Sequence, residues 1–365
     1  MSDAVRRIPT LERDGLQIWD QSDRCRPAEN DLVKEMARDT TILVTGGAGY
    51  IGAHCCKALS EAGYLPVCID DLSTGSRDFV KWGPLVVGSV RDTARVAETI
   101  KSHRIAAVMH FAAFSQVGES VADPQKYYSN NVGGTLSLLA AMREAGCGRL
   151  VFSSTGAVYG NAGREPIPED AAGSPVNPYG ASKWMIEQIL ADFRAAYQLN
   201  STCLRYFNAS GAERSASIGE FRDPETHLIP RAMMALQGYV DDFAVFGDNY
   251  DTPDGTAVRD YIHVEDLAAA HILAVEALLN GSVGGRFNLG TGSGHSVREV
   301  ITAVETAAGR KLPLVVKPRR SGDPPFLVAD PSAARKSLGF RPAVSDLTTI
   351  VTSAWAWHQK AHPKR

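Results

Sequence analysis

Tyr179 and Lys183 stand four residues apart in the stretch Tyr179-Gly180-Ala181-Ser182-Lys183. Asn177-Pro178 precedes them, and apolar residues recur after them at Trp184, Met185, Ile186, Ile189, Leu190 and Phe193. Proline is tolerated in a first helical turn, so the pattern predicts a helix starting here. Positions i and i+4 share a helix face. Phenol and ammonium can therefore point into one site. A phenol ordinarily ionises near pH ~10. A fixed cation beside it favours phenolate and lowers that value by roughly one to three units. The pair predicts a tyrosine base usable near neutral pH. The same spacing also arises on helices without chemistry, so the rest of the chain has to supply a cofactor and a substrate.

The elements before this helix supply the first. Residues 40–45 (TTILVT) form a short β run that leads into Gly46-Gly47-Ala48-Gly49-Tyr50-Ile51-Gly52 and a helical pattern through Leu59. Glycines at 46, 49 and 52 allow a tight turn, close approach to a pyrophosphate and packing of helix on strand. The helix start then offers free N–H groups to the anion. A second strand, 65–69, ends at Asp70-Asp71, close to the offset of ~20 residues expected for an acid on the adenosine ribose. A carboxylate there repels a 2′-phosphate, which favours NAD over NADP; Arg77 is read as solvated. Further strands are expected at 85–87, 106–109 and 150–153, with helices at 93–103 and 124–145. The 106–109 strand runs into His110-Phe111-Ala112-Ala113, and the 150–153 strand into Ser154-Thr155-Gly156-Ala157-Val158-Tyr159-Gly160. This alternation predicts a doubly wound parallel α/β sheet of Rossmann type. Ligands of such sheets lie beyond the carboxyl ends of the strands, where Asp70, Ala112, Thr155 and the Tyr179 helix converge.

Composition narrows the partners. The 365-residue chain is 44% apolar and carries a net charge of −3, which argues against nucleic acid or an anionic membrane as a partner. Six cysteines, Cys25, Cys55, Cys56, Cys68, Cys147 and Cys203, lack zinc or disulfide spacing. Free thiols in a reducing cytoplasm and no bound metal are expected. The first residues lack a basic region followed by an apolar run, so no secretory leader is expected. No apolar run approaches the ~18 residues of a membrane span. Residues 1–38 read as an extension, either disordered or a short docked helix. Beyond Tyr206 the alternation loosens into polar loops, with a helix opening at His227, a strand at 243–247, a helix at 265–279 and a short strand at 287–290.

Six motifs together resemble the extended short-chain dehydrogenase/reductase family, and within it the UDP-glucose 4-epimerases: GGAGYIG at 46–52, HFAA at 110–113, SSTGAVYG at 153–160, YGASK at 179–183, RYFN at 205–208 and VRDYIHV at 258–264. The resemblance runs from about residue 39 to about 358. It implies a redox-neutral inversion at the sugar C4. Tyr179 takes the 4-hydroxyl proton while C4 gives hydride to a tightly held NAD. The 4-keto sugar turns about its pyrophosphate link, and hydride and proton return. Lys183 is implied to hold the nicotinamide ribose, and Thr155 to relay between the sugar hydroxyl and Tyr179. The cofactor set is completed by Gly46, Gly49, Tyr50, Ile51, Gly52, Asp70, Asp71, Ser89, Val90, Phe111, Ala112, Ala113, Asn130, Ser153 and Tyr206. For the UDP-sugar, Asn208, Arg259 and Asp323 match positions on the sugar, pyrophosphate and uridine ribose, and Arg320 a second phosphate position. Arginine suits a diphosphate because its planar fork donates in pairs; an ion pair with nearby loop acids is its other reading. Leu228 and Phe246 are expected near the uridine diphosphate. His227 is counted with the substrate set, and for His227 and His263 a structural hydrogen bond is expected rather than a catalytic role.

Related dehydratases carry an Asp-Glu pair just after the hydroxyl residue; Gly156 and Ala157 stand there, so elimination is disfavoured. Ser89 replaces a frequent Asp, Asp71 a frequent Asn, and Leu327 holds the position that gates sugar size. Pentose and N-acetylhexosamine UDP-sugars stay open as alternative substrates. A non-catalytic NAD-binding module is the distant alternative, against which both Tyr179 and Lys183 stand. The expected organisation is an NAD-binding domain over 39–207 and a mainly UDP-sugar-binding part over 208–365, smaller and α/β, with segments near 259–264 and 287–290 returning to the first. A homodimer packed through helices of the sheet domain is expected.

Overall fold

Strands buried on both faces read as continuous apolar runs rather than alternating ones, and the first half of the chain is built from such runs. The computed structural model describes residues 40–163, 166–241, 243–320 and 323–361; the extension 1–38 and Cys25 lie outside the described residues. Strand β1 (Thr41–Thr45) leads into α1 (Tyr50–Glu61), followed by β2 (Leu65–Asp70), β3 (Leu85–Val87), α2 (Thr93–Ser102) and β4 (Ile105–His110). Two short helices, α3 (Val117–Ala122) and α4 (Pro124–Tyr127), precede α5 (Gly133–Glu144). Then come β5 (Arg149–Thr155), α6 (Pro178–Tyr197), β6 (Asn200–Tyr206) and β7 (Asn208–Ser210). The remainder is α7 (Leu228–Gln237), β8 (Ala244–Phe246), β9 (Val258–Arg259), β10 (Tyr261–His263), α8 (Val264–Leu279), β11 (Gly284–Leu289), β12 (His295–Ser296), α9 (Val297–Ala308), β13 (Val315–Lys317), β14 (Phe326–Leu327), α10 (Ser332–Ser337) and α11 (Leu347–Ala361).

Seven strands form one parallel sheet in the order β11-β6-β5-β4-β1-β2-β3. Successive strand residues point to opposite faces, and β1 shows the consequence. Ile42 and Val44 enter a core shared with α1 and α8, while Leu43 enters one shared with α2, α5 and α6. The chain is therefore doubly wound around this sheet. The last sheet strand, β11, comes from far along the chain and pairs with β6 from Gly284↔Ser201 to Leu289↔Tyr206. A third core joins α7, α9, α11 and β8. Three small sheets, β10-β7, β12-β9-β14 and β13-β8, complete the strand topology.

One element differs from expectation. Instead of a single helix over 124–145, α4 and α5 are separated by a π-turn at Tyr128–Val132. The cause is visible in Asn131, which is buried and turned inward: its Oδ1 accepts from Phe114 N at 2.9 Å, and its Nδ2 donates to Phe114 O at 3.0 Å and Ser182 Oγ at 3.1 Å. A widened turn lets one polar side chain leave the helix face and tie the loop after β4 to α6. Such π insertions recur at functional sites.

Candidate active site

Helix α6 starts where the sheet ends. Asn177 caps it, its Oδ1 accepting from Gly180 N at 2.9 Å, and Pro178 occupies the first turn. Gly180 sits so near the end of β5 that an added Cβ would lie 2.5 Å from Ala157 O. That close approach brings the Tyr179 phenol beside the Thr155 hydroxyl at the last residue of β5. Thr155 Oγ1 also accepts from Ala157 N at 3.1 Å. Ser153 is bonded through its hydroxyl to Tyr206.

Lys183 lies buried four residues further along α6. Its Nζ donates to Ser153 O at 2.7 Å and stands 4.7 Å from the Phe152 ring centroid. It is 3% exposed, and burial pushes its amine down to about 7, with Glu187 opposing. Tyr179 is raised by desolvation, and lowered in part by the Thr155 hydrogen bond and then by the charge of Arg222. The Lys183 Nζ is directed at a backbone carbonyl, and burial favours the neutral form of both groups.

The glycine turn lies beside them. Gly46 has φ +72°, and a Cβ there would come within 2.7 Å of Ala112 N; at Gly52 it would meet Gly46 O at 2.2 Å. Helix α1 starts at Gly49 with no side-chain cap and no acid in its first turn, so its N–H groups and dipole remain open to an anion. Asp70 ends β2 buried, accepting from Ala48 N at 3.0 Å and Leu72 N at 2.8 Å. Burial raises its carboxyl and these bonds oppose the rise. Asp71 is exposed and accepts from Ser73 N. A cavity of about 350 Å³ opens here, lined by Ala48, Gly49, Tyr50, Leu72, Gly75 and Phe221 among others. Arg77 lines it too and is exposed, as a solvated side chain would be.

Residues 42–290 match the sequence profile of the NAD dependent epimerase/dehydratase family. The chain belongs to that family. A UDP-glucose 4-epimerase of Rhizobium leguminosarum bv. trifolii is 50% identical over 322 residues, covering 88% of this chain and 98% of the relative. The crystal structure of UDP-glucose 4-epimerase from Brucella ovis in complex with NAD superposes with a TM-score of 0.85 at 52% identity, covering 87% of this chain and 97% of that one. That of the Bifidobacterium longum enzyme in complex with NAD+ and UDP gives 0.84 at 39% identity, covering 89% and 99%.

The family's cofactor is NAD, and the residues present fit it. The open helix start and the glycine cradle suit a pyrophosphate, and the Asp70 carboxylate suits a ribose diol without a 2′-phosphate. Around this cradle, Tyr50 donates to Gly211 O at 2.7 Å, and Ile51 lies in the first turn of α1 against the core shared with α8. Val90 is buried and Ser89 holds the adjoining turn by accepting from Arg91 N. Phe111 packs 4.8 Å from the His271 ring, Ala112 N donates to Thr45 Oγ1, and Ala113 is half-buried beside them. Asn130 donates to Asn131 Oδ1.

The residues matched to the UDP-sugar gather on the small sheets. Arg259 and Asp323 pair at 2.5 Å, the alternative reading of that arginine in the protein alone, and Tyr250 donates to Asp323 at 3.4 Å. Arg320 stands 4.0 Å over Phe246. Asn208 donates to Asp260 O at 3.0 Å. Leu228 opens α7, preceded by His227, whose Nδ1 meets Glu220 at 2.7 Å. His263 caps α8 and bonds Ser353. Leu327 lies in register with Arg259 and packs with Val158 and Phe207.

Three residues near the site escaped the sequence reading. Asn131 gave no signal, because a lone Asn in a helical pattern is unremarkable. Arg222 lies in an irregular loop. Glu187 did leave a trace: it follows Lys183 by four residues, on the face that carries Tyr179. It pairs with buried Arg205 at 2.6 Å and accepts from Ser154 Oγ at 2.5 Å.

Proposed function

We propose that this protein is a UDP-glucose 4-epimerase, interconverting UDP-glucose and UDP-galactose with NAD retained. The observation that carries the reading is the Thr155–Tyr179 hydroxyl pair at the carboxyl end of the sheet, beside the glycine cradle, with Gly156 and Ala157 where elimination would need acids. Bound NAD supplies a reversible hydride acceptor. Thr155 orients the sugar 4-hydroxyl toward Tyr179, which takes that proton and later returns it. Arg259, Arg320 and Asp323 hold the nucleotide, with Asn208 on the sugar side; the Arg259–Asp323 pair opens to admit the diphosphate and ribose. Tight nucleotide anchoring with a loosely held sugar permits the 4-keto intermediate to turn over.

Within this reading, residues 39–207 form the NAD-binding part and 208–365 mainly the sugar-nucleotide part. The pairing of β11 with β6 and the packing of α8 on the sheet support a boundary that the chain crosses more than once. A homodimer is supported by the exposed apolar side chains Val117 and Val121 on α3, Leu136 on α5 and Met185 on α6. Among the described residues no helix is long and apolar enough to cross a membrane. The five described cysteines are free and buried, which suits a reducing cytoplasm.

Product analysis on UDP-galactose, UDP-xylose and UDP-N-acetylglucosamine, with no NAD added, tests the proposal. UDP-galactose is expected to turn over fastest. Fast pentose conversion beside negligible UDP-galactose turnover overturns the hexose assignment, and strict dependence on added NAD overturns cofactor retention. Leu327 is the residue to vary if the N-acetyl sugar is taken.

A further inference from the structure

In the parallel sheet β1 lies between β4 and β2, so the glycine turn after β1 is flanked by the loops that follow β4 and β2. A segment from the second half of the chain is tied to both of those loops. It is the loop 211–227, which joins β7 to α7. Its first part is folded on itself: Ala212 and Gly219 form an antiparallel bridge, and Glu213 accepts from Ser215 N at 3.0 Å and Ser217 N at 3.1 Å. On the β2 side, the Tyr50 hydroxyl donates to Gly211 O at 2.7 Å and Lys81 Nζ donates to Ser217 O at 2.9 Å. Buried Ile218 packs with Ala53 of α1, Phe79 of the loop after β2 and Trp357 of α11. Gly219 lies against the Trp357 ring, where an added Cβ would come within 2.3 Å, and Trp357 Nε1 donates to Glu220 O at 2.7 Å. On the β4 side, Arg222 Nη1 donates to Ser115 Oγ at 3.2 Å, while its Nε is held by Glu220 at 3.0 Å. The loop is thus a strap that crosses the glycine turn and is fixed on either side of it.

Phe221 stands between the two fixings. It lines the cavity of about 350 Å³ together with Gly49 and Tyr50 from the glycine turn and Gly75 and Arg77 from the loop after β2. Its side chain is 49% exposed, so the backbone fixings on each side, rather than burial in a core, set where the ring stands. We propose that Phe221 is a further cofactor-binding residue, strapped across the glycine cradle so that its ring closes the outer side of the dinucleotide cavity and slows release of NAD. This rests on the reading that NAD stays bound between turnovers. An aromatic ring offers a large apolar face at little cost in side-chain freedom, and part of its exposed face would be covered by the bound dinucleotide. Release then needs either that packing to be lost or the strap to lift. Lifting is opposed by Ile218 and Trp357 in their buried cluster and by the Arg222–Ser115 bond. The cover belongs to the part of the chain that follows β7, so the cofactor is held between two separate stretches of sequence.

The test uses the NAD-loaded protein and the variants F221A and F221Y, with exchange of bound NAD against isotopically labelled NAD as the readout. In F221A the half-time of exchange is expected to shorten about tenfold, the loss of one ring's packing on a ligand. F221Y keeps the ring and is expected to stay within about twofold of the unmodified protein. Melting temperatures over a series of added NAD concentrations are expected to agree between F221A and the unmodified protein where no cofactor is bound, and to separate as it saturates. An exchange time unchanged in F221A overturns the proposal, as does a failure of F221Y to restore it. A melting-temperature loss of equal size with and without NAD also overturns it, since the ring would then prop the fold rather than the cofactor. If the unmodified protein loses its NAD on brief dialysis, the retention reading fails, and the ratio of NAD affinities between F221A and the unmodified protein still decides the role of Phe221.

Discussion

Lys183 is an amine enclosed by the fold with a carbonyl acceptor at 2.7 Å, and its ionisation should be visible in stability. In the unfolded chain it titrates near ~10.4, while burial lowers it to about 7 in the folded protein. Between those values the unfolded chain binds more protons, so stability rises with pH across that window. Below about pH 7 the whole cost of burying the charge is present, on the order of a few kcal/mol. Lys183→Met keeps the length of the side chain without the charge. Its melting temperature in the NAD-free protein is therefore expected to exceed that of the unmodified protein most at pH 6–7. The gain should shrink toward pH 10. Differential scanning calorimetry over this range checks it, and a gain independent of pH would contradict the buried neutral amine. At this scale the Tyr179–Lys183 pair was legible because i, i+4 spacing is local. The target of the ammonium was not, since Ser153 O belongs to a strand that only the folded sheet brings there.

Helix α6 carries Tyr179 and Lys183 on one face and its own anchor further along that face. Glu187 is fully buried and binds Arg205 of β6 through two contacts, 2.9 and 2.6 Å, while Arg286 of β11 approaches at 3.3 Å. Arg205 also donates to Tyr159 at 2.7 Å. The cluster ties α6 to β5, β6 and β11. Replacing one partner of a buried ion pair leaves the other uncompensated, at about 3–5 kcal/mol. Glu187→Leu is expected to lower unfolding free energy by that amount and to loosen Tyr179. Urea denaturation measures the first, and a loss below about 1 kcal/mol would show that the pair is not an anchor. The RYFN motif contained Arg205 without revealing its partner, because a buried ion pair joins residues by tertiary contact rather than by period. The break between α4 and α5 was illegible for a similar reason. Helical periodicity continues through 124–145, and the π-turn is imposed by Asn131 reaching Phe114 and Ser182.

For the whole molecule, the proposed dimer turns on apolar side chains left exposed on two helices. Val121 is 63% exposed and Met185 45%, on helices that pack against each other, α3 and α6. A stable interface buries roughly 1,200–2,000 Å² in total, and apolar side chains standing free on adjacent helices are the material for one. Sedimentation velocity is expected to give a dimer, and Val121→Glu combined with Met185→Glu a monomer that keeps its NAD. A monomeric unmodified protein, or a double variant that stays dimeric, rejects this face.

The sequence by itself determined the doubly wound sheet, the glycine cradle, the acid at the end of the second strand and the helix carrying Tyr179. Each depends on backbone constraints or periodicities that act within a few residues. Tertiary structure alone decided the direction of the Lys183 ammonium, the Glu187–Arg205 anchor and the docking of Arg222 on Ser115, 107 residues away. Those contacts join side chains from separate strands and irregular loops, where no repeat in the chain encodes the partner and only the packed fold brings the atoms within hydrogen-bonding distance.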